Sequence, residues 1–231
     1  MLRLRSSRAI VLDLDGTLTK GGEERVAPEL RSMLEQFKRD GWLLILATGR
    51  DKKYLESRDD LRNLFDGWVC EAGISIYIPS TNDYRILVDE RWLQFISEVK
   101  RKVKCVVFKE NTVNLLSKEC IGEINEIASR IGVHYKVLNN KGSLLLLPTN
   151  TDKYTGLNEL LRLMDFHGYL VVIGDSEIDI EILKNADFKA APSNADQAVK
   201  EIVDYLSSGE DGEGVIEILR NLRHKFKFIG K

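Results

Sequence analysis

The residues of this chain that can do chemistry follow directly after runs of apolar residues. Asp13 and Asp15 lie at the end of the first predicted strand, residues 8–14, and Asp175 and Asp179 follow a later predicted strand at residues 170–174. Because ligands of a wound parallel sheet bind outside the carboxyl ends of its strands, we expect the four carboxylates to share one crevice. Four crowded negative charges are unfavourable unless a cation or protons offset them. Magnesium is the natural candidate, since a few carboxylates, waters and substrate phosphate oxygens bind it.

Groups suited to phosphate oxygens occur at two further points. Thr48, Gly49 and Arg50 supply a hydroxyl, backbone amides and a guanidinium just before a predicted helix. Lys153, at the start of a later predicted helix, adds a positive charge to the same crevice. A carboxylate nucleophile, an adjacent carboxyl that passes a proton, a metal and donors for phosphoryl oxygens together describe phosphoryl transfer through an aspartyl phosphate.

The elements that must position these residues fall into two groups along the chain. The first and last parts alternate short buried strands with amphipathic helices, a pattern typical of a parallel sheet covered by helices. Between them a helix followed by two strands occurs twice, which indicates an antiparallel sheet with helices on one side. We therefore predict an α/β fold with a doubly wound parallel-sheet (Rossmann-like) core at residues 1–76 and 148–231. An α+β domain is inserted at residues 77–147.

Composition excludes several classes of protein. The chain has 231 residues with 34 Lys+Arg against 36 Asp+Glu, so it lacks the broad basic surface of a general nucleic-acid binder. No apolar run is long enough to span a bilayer. Cys70, Cys105 and Cys120 have no C-x-x-C spacing, so we expect packing residues rather than a zinc site or disulfide framework. The expected protein is cytoplasmic, a monomer or homodimer, and its partner is a small molecule rather than nucleic acid or membrane.

At these residues the chain resembles the haloacid dehalogenase-like (HAD) phosphatases. Residues 13–19 (DLDGTLT), residues 48–50, Lys153 and residues 174–179 are similar, in this order, to the four motifs of that family. The insert resembles the family's C2-type cap in its smaller C2B form, and the resemblance covers essentially the whole chain. By length, cap size and the ending at residues 212–215, the archaeal phosphoglycolate phosphatase branch is most similar.

The resemblance implies roles for the four acidic residues. Asp13 would be the nucleophile and a Mg²⁺ ligand. Asp15 would be the general acid for the leaving oxygen and then the base for the hydrolytic water, and its backbone carbonyl would bind the metal. Asp175 would bind Mg²⁺, and Asp179 would bind the ion or its waters.

The resemblance also implies how the phosphoryl group is held. Thr48 and Lys153 would bind it and the aspartyl phosphate, with Gly49 as a further phosphate-binding residue. Arg50 is left open between a substrate contact and a surface ion pair. The chain departs from the family pattern at Ile178, where many relatives have Asn, at residues 70–73, and at Tyr154.

The leading prediction is a Mg²⁺-dependent phosphatase for a small phosphorylated metabolite, and the resemblance favours 2-phosphoglycolate. A cap lysine would then meet the substrate carboxylate, and the candidates are Lys102, Lys109 and Lys141. The alternatives are a sugar-phosphate phosphatase, of the mannosyl-3-phosphoglycerate or trehalose or sucrose phosphate type, and a phosphotransferase resembling the phosphomannomutases. A non-enzyme alternative is a receiver-like regulatory module in which a partner phosphorylates Asp13.

Overall fold

Two β-sheets organise the protein in the computed structural model, which describes residues 7–21, 24–140 and 142–227. The strands are β1 (Arg8–Leu12), β2 (Leu43–Ala47), β3 (Gly67–Cys70), β4 (Ser75–Ile78), β5 (Asp83–Ile86), β6 (Val106–Phe108), β7 (Val113–Leu115), β8 (Tyr135–Asn140), β9 (Ser143–Pro148), β10 (Tyr169–Ile173), β11 (Phe188–Ala191) and β12 (Tyr205–Leu206). The helices are α1 (Pro28–Arg39), α2 (Lys52–Ser57), α3 (Glu90–Lys102), α4 (Ile121–Ile131), α5 (Lys153–Leu163), α6 (Ile180–Lys184), α7 (Gln197–Lys200) and α8 (Asp211–Lys227).

The larger sheet has the strand order β12-β11-β10-β1-β2-β3-β4-β5, and its strands from β12 to β3 are parallel. Successive side chains of a strand point to opposite faces of the sheet, and both faces of β1 are buried. Ile10 and Leu12 belong to the apolar cluster with α1 and α8, whereas Ala9 and Val11 belong to the cluster with α5 and α6. Helices thus cover both faces, and the predicted doubly wound α/β core is confirmed.

The smaller sheet, with the order β6-β7-β9-β8, is antiparallel and carries α3 and α4 on one face. Its own apolar core includes Trp92, Phe95 and Leu146. This arrangement agrees with the predicted α+β insert, which we call the cap. Among the described residues no helix is both long and apolar enough to cross a membrane.

The structure changes two expectations about element boundaries. The hairpin of β4 and β5 extends the larger sheet, so the cap elements begin at α3 rather than at residue 77, and we propose this as the domain boundary. The alternating α/β pattern of the sequence also predicts a helix at residues 195–206, and this prediction is wrong in its second half. Tyr205 and Leu206 instead form β12, because their backbone pairs with Ala190 and Ala191 of β11.

Two of the cysteines form a disulfide, which corrects the expectation that all three are packing residues. Cys105 and Cys120 are bonded in the cap, and their Cα atoms are 6.2 Å apart, whereas Cys70 is a buried free thiol. The distance between the two Cα atoms lies in the usual range for disulfides. Sequence spacing did not indicate the pair because the two residues, 15 positions apart, meet only when α4 packs beside the cap sheet.

A close backbone contact joins the end of β3 to the start of α5. Gly73 has a φ of +104°, and a Cβ at this position would lie 1.9 Å from the carbonyl oxygen of Asp152. On the same contact, a Cβ at Gly156 would lie 2.7 Å from the Cα of Gly73. Because Gly73 and Gly156 have no Cβ, the first turn of α5, which carries Lys153, can approach the sheet this closely.

Gly73→Ala should lower the free energy of unfolding by about 2 kcal/mol, because the methyl group meets backbone and the positive φ disfavours alanine. Urea denaturation measures this loss. The matched control is Gly122→Ala in α4, where a Cβ meets nothing within 4 Å. For Gly122→Ala we expect the free energy of unfolding to rise by about 0.5 to 1 kcal/mol. Unchanged stability of Gly73→Ala would show that this contact is not tight.

Candidate active site

Three carboxylates converge where β1 and β10 end, at the same edge of the larger sheet. Asp13 follows β1, and its backbone N–H continues the ladder by donating to the Ile173 carbonyl at 3.0 Å. Asp175 and Asp179 follow β10. The side chains of the three acids are buried, and one oxygen from each lies within 4.8 Å of the others. The predicted clustering of these residues is therefore seen.

Lys153 lies between two of these carboxylates. Its Nζ donates to Oδ1 of Asp13 at 2.7 Å and to Oδ1 of Asp179 at 2.6 Å, and its side chain is fully buried. The position depends on the start of α5, where Asp152 and Thr155 form a reciprocal capping box. Burial alone lowers the pKa of Lys153, but the two carboxylates outweigh it and the pKa is raised. Lys153 therefore keeps its positive charge.

The charge balance of this cluster favours a cation. Burial raises the pKa of Asp13; Lys153 opposes this, and Asp179 and Asp175 add to it. Three carboxylates face one ammonium, so the fully ionised cluster has two negative charges in excess. Buried charges are stable only when they are compensated. The donor set is all oxygen and hard, so these residues fit a divalent cation.

Two hydroxyl groups hold the acids in place, and the sequence analysis assigned a role to neither. Thr17 donates its hydroxyl to Oδ1 of Asp175 at 2.6 Å. Ser176 donates its backbone N–H and its hydroxyl to Oδ2 of Asp179, at 3.1 and 3.0 Å. Ile178, where many relatives have Asn, is buried and apolar, so these bonds orient Asp179 instead. The sequence signal for both residues was that they lie within the acidic motifs 13–19 and 174–179.

Thr48 and Gly49 occupy the end of β2, the strand beside β1. The Thr48 side chain is buried, and its Oγ1 accepts a hydrogen bond from the backbone N–H of Arg50 at 3.1 Å. Its own backbone N–H donates to Val69 of β3 and its carbonyl accepts from the backbone N–H of Ala72. These bonds hold the turn rigidly next to the acidic cluster.

Asp15 lies outside the acidic cluster and is held by Arg50. The guanidinium donates from Nε and from one terminal nitrogen to the two oxygens of Asp15, both at 2.8 Å. It also lies over the ring of Tyr54, 4.4 Å from the centroid. The Asp15 side chain is 26% exposed, in contrast to the buried acids. For Arg50 the sequence left open a substrate contact or a surface ion pair. The structure shows an ion pair, and its partner is Asp15, the proposed general acid.

A cavity of about 480 Å³ lies between this edge of the sheet and the cap. The core contributes Asp15, Gly49 and Arg50 to its lining, and the cap contributes Lys109 and Asn114, with Ser143 and Leu145 beside them. Lys109 donates from Nζ to the Gly49 carbonyl at 3.0 Å. The cavity therefore brings a cap ammonium to the residues predicted to bind phosphate.

The structure describes two of the three lysines considered for the substrate carboxylate. Lys109 lines the cavity, whereas Lys102 pairs with Glu98 within α3 at 3.0 Å. Lys141 lies outside the described residues. Lys109 is therefore the candidate that the geometry supports.

The chain is similar to known protein families and to curated proteins along most of its length. The family model of haloacid dehalogenase-like hydrolases matches residues 66–219, and that of sucrose-6F-phosphate phosphohydrolases matches residues 6–117. The phosphoglycolate phosphatase of Sulfurisphaera tokodaii is 26% identical over 234 residues, covering 96% of this chain and 97% of that protein. The phosphoglycolate phosphatase of Archaeoglobus fulgidus is 28% identical over 220 residues, covering 93% and 96%.

Solved structures have the same fold. The crystal structure of Thermoplasma acidophilum 0175 superimposes with a TM-score of 0.75 at 18% identity, covering 94% of this chain and 98% of that one. A sugar phosphatase of HAD subclass IIB superimposes with a TM-score of 0.68 at 18% identity, covering 93% and 98%.

The predicted resemblance is therefore confirmed, and the non-enzyme alternative is set aside. The hydrolase model matches well over half of the chain. Proteins named phosphatases match nearly its full length. The chain belongs to the haloacid dehalogenase-like hydrolase family and is a phosphatase of that family.

Proposed function

We propose that this enzyme hydrolyses 2-phosphoglycolate to glycolate and phosphate, with Mg²⁺ as its cofactor and an aspartyl phosphate as intermediate. The observation that carries the proposal is the buried carboxylate of Asp13, held by Lys153 at the strand ends of the core, where Asp15 and the cap residue Lys109 line one cavity. The relatives named phosphoglycolate phosphatase support the choice of substrate.

In the first step an oxygen of Asp13 attacks phosphorus, and the bond from phosphorus to the glycolate oxygen breaks. Asp15 donates a proton to that leaving oxygen, which leaves as the alcohol of glycolate. In the second step Asp15 takes a proton from water, the water oxygen bonds to phosphorus, and the aspartyl bond breaks. Lys153 and Thr48 bind the phosphoryl oxygens in both steps, together with the backbone of Gly49.

The metal is assigned to Asp13, Asp175 and Asp179, with the backbone carbonyl of Asp15 as a further proposed ligand. When bound, Mg²⁺ would neutralise charge on the carboxylates and the phosphoryl group. The excess negative charge of the cluster supports this assignment. The ion pair of Arg50 supports a second role, since its two bonds orient the Asp15 carboxyl at the cavity where Arg50 can also contact substrate.

Lys109 supports a substrate that carries a second negative group besides phosphate. Among the described residues, the hydrogen bond of the Lys109 ammonium goes to a carbonyl oxygen, which is neutral. A substrate carboxylate would bind it more strongly, because a charged acceptor forms the stronger hydrogen bond. Glycolate is short, so its carboxylate stays near the phosphoryl group. The contact of Lys109 with Gly49, a proposed phosphate-binding residue, matches this short distance.

A sugar phosphate is the second candidate, and a separate observation favours it. Asn114 donates to the hydroxyl of Ser143 at 2.9 Å, and its Oδ1 is buried with no hydrogen-bond partner among the described residues. Such an amide in the cavity lining is suited to a sugar hydroxyl. The match to the sucrose-6F-phosphate phosphohydrolase model also favours this candidate.

Asp13→Asn should lower kcat by at least about a thousandfold, because an amide oxygen is a poor nucleophile. Phosphate release from p-nitrophenyl phosphate measures this loss, and circular dichroism checks the fold. Asp83→Asn, the same change in the β4–β5 hairpin, is the control and should retain full activity. Turnover by Asp13→Asn at the wild-type rate would refute the aspartyl phosphate.

Mg²⁺ should raise the thermal midpoint of the wild-type protein, because an ion that binds only the folded state stabilises it. At one hundred times Kd the gain is about 2.7 kcal/mol, and EDTA should reverse it. Asp175→Asn should lose this response, whereas Glu177→Gln, an exposed neighbour, should keep it. An equal response from Asp175→Asn would refute the assigned metal site.

Lys109→Met should raise KM for 2-phosphoglycolate about tenfold, a loss of about 1.4 kcal/mol, with little change for p-nitrophenyl phosphate. Steady-state kinetics on both substrates, hexose 6-phosphates and mannosyl-3-phosphoglycerate provide the test. Lys102→Met is the matched control on the outer side of the cap. If a hexose 6-phosphate is the best substrate of the wild type, the sugar-phosphate candidate replaces 2-phosphoglycolate.

A further inference from the structure

A buried carboxylate outside the acidic cluster lies where the core meets the cap. Glu71 directly follows β3, and its side chain is fully buried. It forms no salt bridge within the described residues, and it is not part of the cavity lining. Burial raises its pKa, and hydrogen bonds from Asn111 partly oppose this. A buried carboxylate without a paired cation costs folding free energy, so its presence calls for a reason.

The backbone of Glu71 is joined to the phosphate-binding turn of the core. Its N–H donates to the carbonyl of Arg50 at 2.9 Å, and the N–H of Ala72 donates to the carbonyl of Thr48 at 2.9 Å. Glu71 and Ala72 both have left-handed backbone conformations, with φ of 50° and 53°. Non-glycine residues adopt this conformation at a cost and only where their surroundings impose it. The turn therefore aims the Glu71 side chain in one direction.

That direction leads to the cap. One oxygen of Glu71 accepts the backbone N–H of Asn111 at 2.7 Å, and the other accepts its side-chain amide at 2.7 Å. Asn111 lies in the loop 109–112 between β6 and β7, which also carries Lys109. The loop is tied to the rest of the cap by Trp92, which donates to the Asn111 carbonyl at 2.9 Å, and by Lys100. The Glu71 contact adds a connection from this loop to the core.

We propose that Glu71 is a positioning residue for substrate selectivity: its carboxylate fastens the loop 109–112 to the core and so fixes Lys109 over the Gly49 carbonyl. This inference rests on the proposed function, in which Lys109 meets the substrate carboxylate. It extends that function by assigning selectivity to a residue that touches neither substrate nor metal. The two-bond contact between one carboxylate and one Asn holds the loop in a single register.

Glu71→Gln tests the proposal with little change of shape. The amide replaces one acceptor oxygen with a donor, so one of the two bonds from Asn111 is lost. We expect kcat/KM for 2-phosphoglycolate to fall about tenfold, mainly through KM, and that for p-nitrophenyl phosphate to change less than about threefold. Glu98→Gln in α3, whose carboxylate pairs with Arg101, Lys102 and Arg130 of the cap, is the matched control and should change neither.

A double variant separates positioning from general damage. If Glu71 acts through Lys109, Glu71→Gln combined with Lys109→Met should be no worse on 2-phosphoglycolate than Lys109→Met alone. Losses that multiply, or an equal loss on both substrates, would overturn the proposal. Should Glu71→Gln fail to fold, Asn111→Ala keeps the backbone bond to Glu71 and removes the side-chain bonds to Glu71 and to the Tyr84 hydroxyl. Tyr84→Phe then serves as the control for the second of these bonds, and Asn111→Ala must show a selective loss on 2-phosphoglycolate that Tyr84→Phe lacks.

The same measurements distinguish failure of the proposed function from failure of this inference. A wild-type protein inactive on p-nitrophenyl phosphate would refute the catalytic assignment. Activity without preference for the carboxylate substrate would refute the role of Lys109, and the positioning role of Glu71 with it. A wild type that prefers 2-phosphoglycolate, together with a Glu71→Gln variant of unchanged preference, would refute only the role of Glu71.

Discussion

The rest of the site depends on the buried ion pairs that the ammonium of Lys153 forms with Asp13 and Asp179. Three separate parts of the chain must meet for these ion pairs to form: the end of β1, the turn after β10 and the first turn of α5. Each is placed by a different device, namely the parallel pairing of β1 with β10, the serine-anchored turn at Asp179, and the glycine contact that brings α5 to the sheet. A buried ion pair is favourable only at good geometry, so the fold has to be rigid here.

Chemistry and selectivity are divided between the two sheets. Every acid proposed to act on phosphorus or to bind metal lies at the strand ends of the core, whereas the cap adds Lys109 and Asn114 to the cavity. This division follows from the sheet geometry, because parallel strands present their carboxyl ends together and leave the opposite side of the crevice to an inserted segment. Glu71 connects the two alongside the bond of Lys109 to Gly49, since its backbone belongs to the core and its side chain binds the cap loop.

Much of this site was predictable because its signals are local. The pairs of acids, the Thr-Gly-Arg turn and the helix-start lysine each occur next to a strand or helix that the apolar pattern also predicts, and the parallel strand order then brings them together. The partners of these residues were harder to predict from the sequence. Arg50 pairs with Asp15 across 35 positions of sequence, and the disulfide joins residues of separate elements. Which sheet the β4–β5 hairpin joins was not predictable, because a hairpin has the same local pattern whether it extends one sheet or begins another.

The sequence by itself determined the α/β class, the inserted cap and the identity of the acidic and basic groups, because periodicity and short motifs depend on neighbouring residues. Only the tertiary structure decided which groups touch. It placed Lys109 at the cavity, set Asp15 apart from the buried acidic cluster and revealed Glu71 as a connection between core and cap. The physical reason is that hydrogen bonds and ion pairs act over a few ångströms in space, and separation along the chain does not predict that distance.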